Sequence, residues 1–197
     1  MASSKVLSET LTQLSSMRRR IYLAGPEVFL PDPIAAGRAK VALCDAHGFE
    51  GLFPLDAALD LSGLTKHAQA ARISAANEGL MRRADVLIAN LTPFRGVSMD
   101  SGTAFEVGFM RALGRPVFGY SNAPSDFAAR ARAFREHGFA PEDCDRADIQ
   151  IEDFDLAENL MITEAITASG GSVVRHSGPM EDLAGFIQCL SQVKVLF

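Results

Sequence analysis

The run Asp85-Val-Leu-Ile-Ala-Asn90-Leu91 constrains this chain most, because it is apolar without interruption between polar ends. A strand with one wet face alternates, whereas a strand buried on both faces of a parallel sheet does not. Shorter segments of the same kind recur. Ile21-Tyr-Leu-Ala24 ends in Gly25-Pro26, 49–53 ends at Pro54, and 117–120 and 172–175 follow later. Helical stretches lie between them at 33–47, 65–83, 100–116 and 156–169, with a closing helix at 179–193. Five alternations of strand and helix predict an α/β fold with a parallel sheet and right-handed crossovers. Ligands of such sheets bind outside the carboxyl ends of the strands, at a topological switch point. Gly25-Pro26, the 54–64 loop, the 92–99 loop and the start of the helix at Asp100 all fall on that edge. The chain has neither G-x-G-x-x-G nor a P-loop, which argues against a dinucleotide or nucleoside-triphosphate site.

The helix at 100–116 carries the chemistry. Asp100 or Ser101 can cap it, and Gly114 followed by Arg115-Pro116 stops it. Inside, Glu106 is surrounded by Ala104, Phe105, Val107, Gly108, Phe109 and Met110. A helix apolar around nearly its whole circumference is expected to be buried. A carboxylate there costs several kcal/mol unless it is paired or hydrogen-bonded. Two readings stand on these residues alone. One is a pair of carboxylates, Asp100 and Glu106, at the positive end of a helix. The other has Glu106 snorkelling to an edge with Asp100 as a plain cap. Tyr22, one of two tyrosines, sits in the first strand, where a phenol can hold a buried carboxylate ionised or serve as an ordinary strand aromatic. Asn159 stands among apolar residues, as a polar site residue or as the start of a helix.

Composition narrows the function classes. A chain of 197 residues suggests one domain, 17–197, with 1–16 as a disordered extension and Met17 as an alternative start. The extension lacks a continuous apolar core, so it is not read as a secretory signal. A net charge of −5 with no basic stripe argues against a nucleic-acid partner. No apolar run approaches the roughly 18 residues of a membrane helix. Cys44, Cys144 and Cys189 match neither a disulfide framework nor a zinc spacing, so reduced thiols in a cytoplasm are expected. His47, His67, His137 and His176 form no ligand cluster, and neither a metal nor a cofactor is expected.

Four segments together have a familiar order. They are Tyr22-Leu-Ala-Gly-Pro-Glu-Val-Phe29, Ala84-Asp-Val-Leu-Ile-Ala-Asn-Leu-Thr-Pro-Phe-Arg-Gly96, Asp100-Ser-Gly-Thr-Ala-Phe-Glu106-Val-Gly and Asn159-Leu-Met-Ile162. In this order, over about residues 20–175, the chain resembles the nucleoside 2-deoxyribosyltransferase family. The resemblance implies a flavodoxin-like, Rossmann-like three-layer sandwich around a five-stranded parallel sheet. It implies exchange of the base of a 2′-deoxynucleoside for a free nucleobase, as in nucleoside salvage. Glu106 matches the nucleophile, Tyr22 the hydroxyl that orients it, and Asp100 the carboxylate that anchors the sugar hydroxyls. Asn159 matches an amide lent by a neighbouring subunit, which implies a homo-oligomer, at least a dimer, with shared sites. Gly25, Phe29 and Asp56, at the strand ends, join the substrate-binding set. Asn77 falls where many members carry an aspartate on the base side. An amide donates and accepts hydrogen bonds but is no general acid, so this chain departs from the pattern there. It also ends Lys194-Val-Leu-Phe197, without the terminal tyrosine of some members.

Two other readings compete. A deoxynucleoside 5′-monophosphate N-glycosidase would share the glutamate but carry a small hydroxyl residue in place of Asp100, whose charge repels a phosphate. A nucleotide-sensing module without catalysis would need no buried nucleophile beside an acid and a phenol.

Overall fold

The computed structural model describes residues 18–55, 59–137 and 148–197. The 1–16 extension, Met17, Asp56 and Cys144 lie outside the described residues. Five strands form one sheet: β1 (Arg20–Ala24), β2 (Glu50–Leu52), β3 (Val86–Asn90), β4 (Val117–Ser121) and β5 (Val173–Arg175). All pairings are parallel, in the order β2-β1-β3-β4-β5. This is the flavodoxin-like order, with its switch point between β1 and β3. The helices are α1 (Pro33–Ala46), α2 (Lys66–Arg83), α3 (Ser101–Ala112), α4 (Phe127–Glu136), α5 (Leu160–Ala168) and α6 (Ala184–Leu196), and a short 3-10 turn occupies Pro26–Phe29.

Strand alternation distributes the core between two layers. Ile21, Leu23, Val86, Ile88, Phe118 and Tyr120 face one side, where they meet Cys44 of α1 and Phe186, Cys189, Leu190 and Val193 of α6. Tyr22, Ala24, Leu87 and Ala89 face the other, against Leu80 and Met81 of α2, Val107 and Met110 of α3 and Ile166 of α5. All residues of β3 are buried, as its unbroken apolar run requires.

Element boundaries differ from expectation where side chains cap earlier or later. α5 begins at Leu160 rather than 156, because Asn159 Oδ1 accepts from Met161 N at 3.0 Å and starts the helix there. α6 begins at Ala184, after Asp182 accepts from its backbone N–H at 2.8 Å. α3 is not apolar-buried all round. Thr103, Val107 and Met110 face the sheet, while Phe105 is 57% exposed. Phe105 instead lies along Phe109, with ring centroids 5.8 Å apart.

Candidate active site

The cap of α3 and the face of β1 bring the carboxylates and the phenol to one place. Asp100 caps α3, its Oδ2 accepting from Thr103 N at 3.0 Å and from Thr103 Oγ1 at 3.3 Å. Glu106 lies about a turn and a half into that helix. Its neighbour Val107 packs on the sheet, while Glu106 itself is partly buried. Tyr22 points from β1 to the same side and donates its hydroxyl to Glu106 Oε1 at 2.5 Å. Burial pushes the Tyr22 phenol far above its usual range, and the Glu106 charge adds to this, so Tyr22 stays a donor.

Glu106 itself is pushed up to about 7. Burial is the largest cause. The Tyr22 hydrogen bond acts against it, and the charges of Asp100 and Glu27 add to it. A carboxylate poised near neutral pH and partly open to a cavity is a group with functional character.

That cavity, of about 310 Å³, is lined by Gly25, Val28, Phe29, Pro54, Leu55, Ile73, Asn77, Asp100, Gly102, Thr103 and Glu106. Glu106, Asp100, Asn77, Gly25 and Phe29 therefore line one cavity. The Asn77 Oδ1 is buried and has no hydrogen-bond partner among the described residues. An open groove between α2 and α3 shares Ile73, Asn77, Gly102 and Glu106 with the cavity and continues past Met81, Glu78 and Phe105. Glu106 is thus approached from two directions. At the mouth, Phe29 stacks on Phe94 at 5.4 Å, and the Arg95 guanidinium lies over both rings. Arg95 adopts a positive φ of 58°, uncommon for a residue with a side chain.

Asn159 does not line this cavity in its own chain. Its Nδ2 donates to Glu152 at 2.6 Å while its oxygen caps α5. Met161, beside it, is 71% exposed.

Two buried acids were not anticipated from the sequence. Glu158 is fully buried and accepts from Ser98 Oγ at 2.7 Å and Met99 N at 3.0 Å, tying the loop before α3 to the start of α5. Glu27 is buried in the Pro26–Phe29 turn and pairs with the buried Lys40 of α1. A signal existed for Lys40. It lies three residues after Gly37 and four before Cys44, on the buried stripe of α1.

Fold and site together define an α/β protein whose ligand cavity opens at the switch point, around a glutamate held by a phenol. The chain belongs to the nucleoside 2-deoxyribosyltransferase family, whose model matches residues 21–161. The structure is similar to a 2-deoxyribosyltransferase from Leishmania mexicana, with a TM-score of 0.62 and 28% identity over 88% of this chain and 97% of that one. An uncharacterized protein of Schizosaccharomyces pombe, C191.05c, is 30% identical over 169 residues, 78% of this chain and 79% of that one. A conserved protein from Enterococcus faecalis V583 shares the fold, with a TM-score of 0.52 and 21% identity over 90% of this chain and 99% of that one. Among the described residues, no helix is long and apolar enough to cross a membrane.

Proposed function

We propose that this protein moves the 2-deoxyribosyl group of a 2′-deoxynucleoside from one nucleobase to another, with Glu106 as nucleophile. The observation that carries this reading is the Tyr22–Glu106 hydrogen bond inside a cavity that also holds Asp100 and Asn77. In the first step the Glu106 carboxylate attacks C1′. The C1′–N bond breaks, and the base departs with its electron pair and takes up a proton. In the second step a nitrogen of the incoming base attacks C1′, Glu106 leaves as carboxylate, and the new base loses a proton. Two inversions give net retention, the logic of a retaining glycosidase with a base in place of water.

Tyr22 aims one carboxylate oxygen and leaves the other free to attack. Asp100, whose Oδ2 is fixed by Thr103, offers acceptor capacity to the sugar hydroxyls. Asn77, with its unpartnered Oδ1, positions the base but supplies no proton, so water delivers it in this reading. Phe29 and Gly25 wall the sugar and base. Asp56 and an Asn159 contributed across a homo-oligomeric contact complete the set. Such a protein works on free nucleosides and bases in nucleoside salvage.

The test is incubation with deoxyinosine and adenine, following deoxyadenosine and free deoxyribose by chromatography. Deoxyadenosine formation supports base exchange. Hydrolysis without base exchange, faster for a deoxynucleoside 5′-monophosphate and releasing deoxyribose 5-phosphate from it, would show an N-glycosidase instead.

A further inference from the structure

On the α1 side of the sheet, behind the cavity, a polar cluster is buried among otherwise apolar residues. Glu27 Oε1 accepts from the Lys40 ammonium, from Asn90 Nδ2 at 2.8 Å and from the Tyr120 hydroxyl at 3.0 Å. Lys40 also lies 5.4 Å from the Tyr120 ring centre and 5.3 Å from that of Phe186. Asn90 passes the connection on, its Oδ1 accepting from Thr92 N at 3.0 Å and from Thr92 Oγ1 at 2.5 Å. Thr92 Oγ1 in turn accepts from Asn122 N at 3.0 Å. The cluster therefore joins the turn after β1 to the carboxyl ends of β3 and β4. Burying an ion pair is expensive, and a neutral apolar set of similar shape would often be as stable. Stability alone gives little reason for Glu27 and Lys40.

The position of Glu27 gives a better reason. Gly25 lines the Glu106 cavity, and on its other side it touches Glu27. A Cβ on Gly25 would sit 2.1 Å from Glu27 Oε2 and 2.8 Å from Asn90 Cβ. Its φ of +153° further excludes other residues. The neighbours of Glu27 in the turn, Val28 and Phe29, line the cavity themselves. Glu27 Oε2 has no hydrogen-bond partner among the described residues. We propose that Glu27, paired with Lys40, is a positioning residue of the Glu106 site: it pins the turn that walls the cavity and keeps a fixed negative charge behind Gly25.

The charge of Glu27 adds to the burial that raises Glu106, while Lys40 keeps Glu27 itself ionised against its own burial. The other groups around Glu106 are Tyr22 from β1, Asp100 at the cap of α3, and Glu78 along the groove from α2. Removing the Glu27 charge leaves these in place, so Glu106 should release its proton more readily.

The role in turnover rests on the proposed base exchange; the charge effect does not. Two variants separate them, each read by carbon-13 NMR titration of the Glu106 carboxyl and by steady-state exchange kinetics. Glu27→Gln with Lys40→Met removes both charges at nearly constant shape. The Glu106 titration should move to lower pH by about half a unit or more. Glu27→Asp keeps the charge but shortens the arm. Its KM for the deoxynucleoside should rise about fivefold, with kcat changed less and the titration close to wild type. An unmoved Glu106 titration in the folded double variant, or an unmoved KM in folded Glu27→Asp, overturns the proposal. If the double variant does not fold, Glu27→Gln alone is held to the same titration criterion. The titration needs no turnover. A protein that shows the shift yet exchanges no bases loses the proposed reaction and keeps the electrostatic link between Glu27 and Glu106.

Discussion

The Tyr22 hydroxyl donates to Glu106 Oε1 at 2.5 Å, joining the middle of β1 to the middle of α3 across 84 positions of chain. The bond favours the ionised carboxylate, and burial opposes it. Tyr22→Phe removes the bond and keeps the ring. Glu106 should then hold its proton to higher pH, and the acid limb of the kcat/KM profile should move upward. At pH 6 the loss should be about tenfold or more, and at pH 9 it should be smaller. A uniform loss at every pH would show that Tyr22 acts through geometry alone.

Glu106 also links stability to pH. Its folded value of about 7 lies above the ordinary 4.5. The native state therefore binds the proton more tightly than the unfolded chain. The stabilising contribution is full below 4.5 and is lost as pH rises through 7. Glu106→Gln, which cannot ionise, should be more stable than wild type at pH 8 by roughly 1–3 kcal/mol, allowing for the partial exposure of the site. The difference should vanish by about pH 4. The same variant should lose exchange activity by about a thousandfold or more, since covalent catalysis is gone. Thermal melts across pH check the first expectation and single-turnover kinetics the second.

Asp100 serves two masters, the helix and the cavity. Asp100→Ala should cost about 1 kcal/mol through the lost cap. Asp100→Ser keeps a capping oxygen and removes the charge. The preference for deoxyadenosine over its 5′-monophosphate should therefore narrow in Asp100→Ser with little change in melting temperature. A wild-type protein that cleaves the monophosphate faster than the nucleoside would reverse the assignment.

Much of this was legible in the residues, for definite reasons. The unbroken run 86–89 announced a doubly covered strand, and β3 is buried throughout. Asp100 was readable as a cap because Gly114 closed the same helix, and Glu106 was conspicuous as the acid among apolar neighbours. The exposure of Phe105 was not legible. Periodicity gives a buried face, here Thr103, Val107 and Met110, but not how much of the opposite face is left uncovered. Glu27 and Lys40 escaped for a different reason. They are 13 positions apart on different elements, and only the closing of α1 onto the sheet brings them together.

The sharing of sites between subunits is open to a direct test. Within its own chain Asn159 caps α5 and holds Glu152. In the proposed assembly its amide also serves a partner's sugar. Glu106→Ala and Asn159→Ala subunits, each weak alone, should complement on subunit exchange. With random closed pairing, half the dimers are mixed and each has one intact site, so about a quarter of all sites should recover. Absence of recovery despite demonstrated exchange would place Asn159 in its own chain's structure only.

The groove between α2 and α3 gives Glu106 a second approach, flanked by Ile73 and by the exposed ring of Phe105. For a covalent sugar intermediate, such an opening is a leak. Any water arriving by that path competes with the acceptor base for C1′, and the partition between them depends on how well the groove is plugged. If a neighbouring subunit is the plug, then dilution changes the outcome of the reaction as well as its rate. A sample diluted below the dissociation constant of the assembly would turn from swapping bases to discarding them, with free sugar accumulating as the subunits separate.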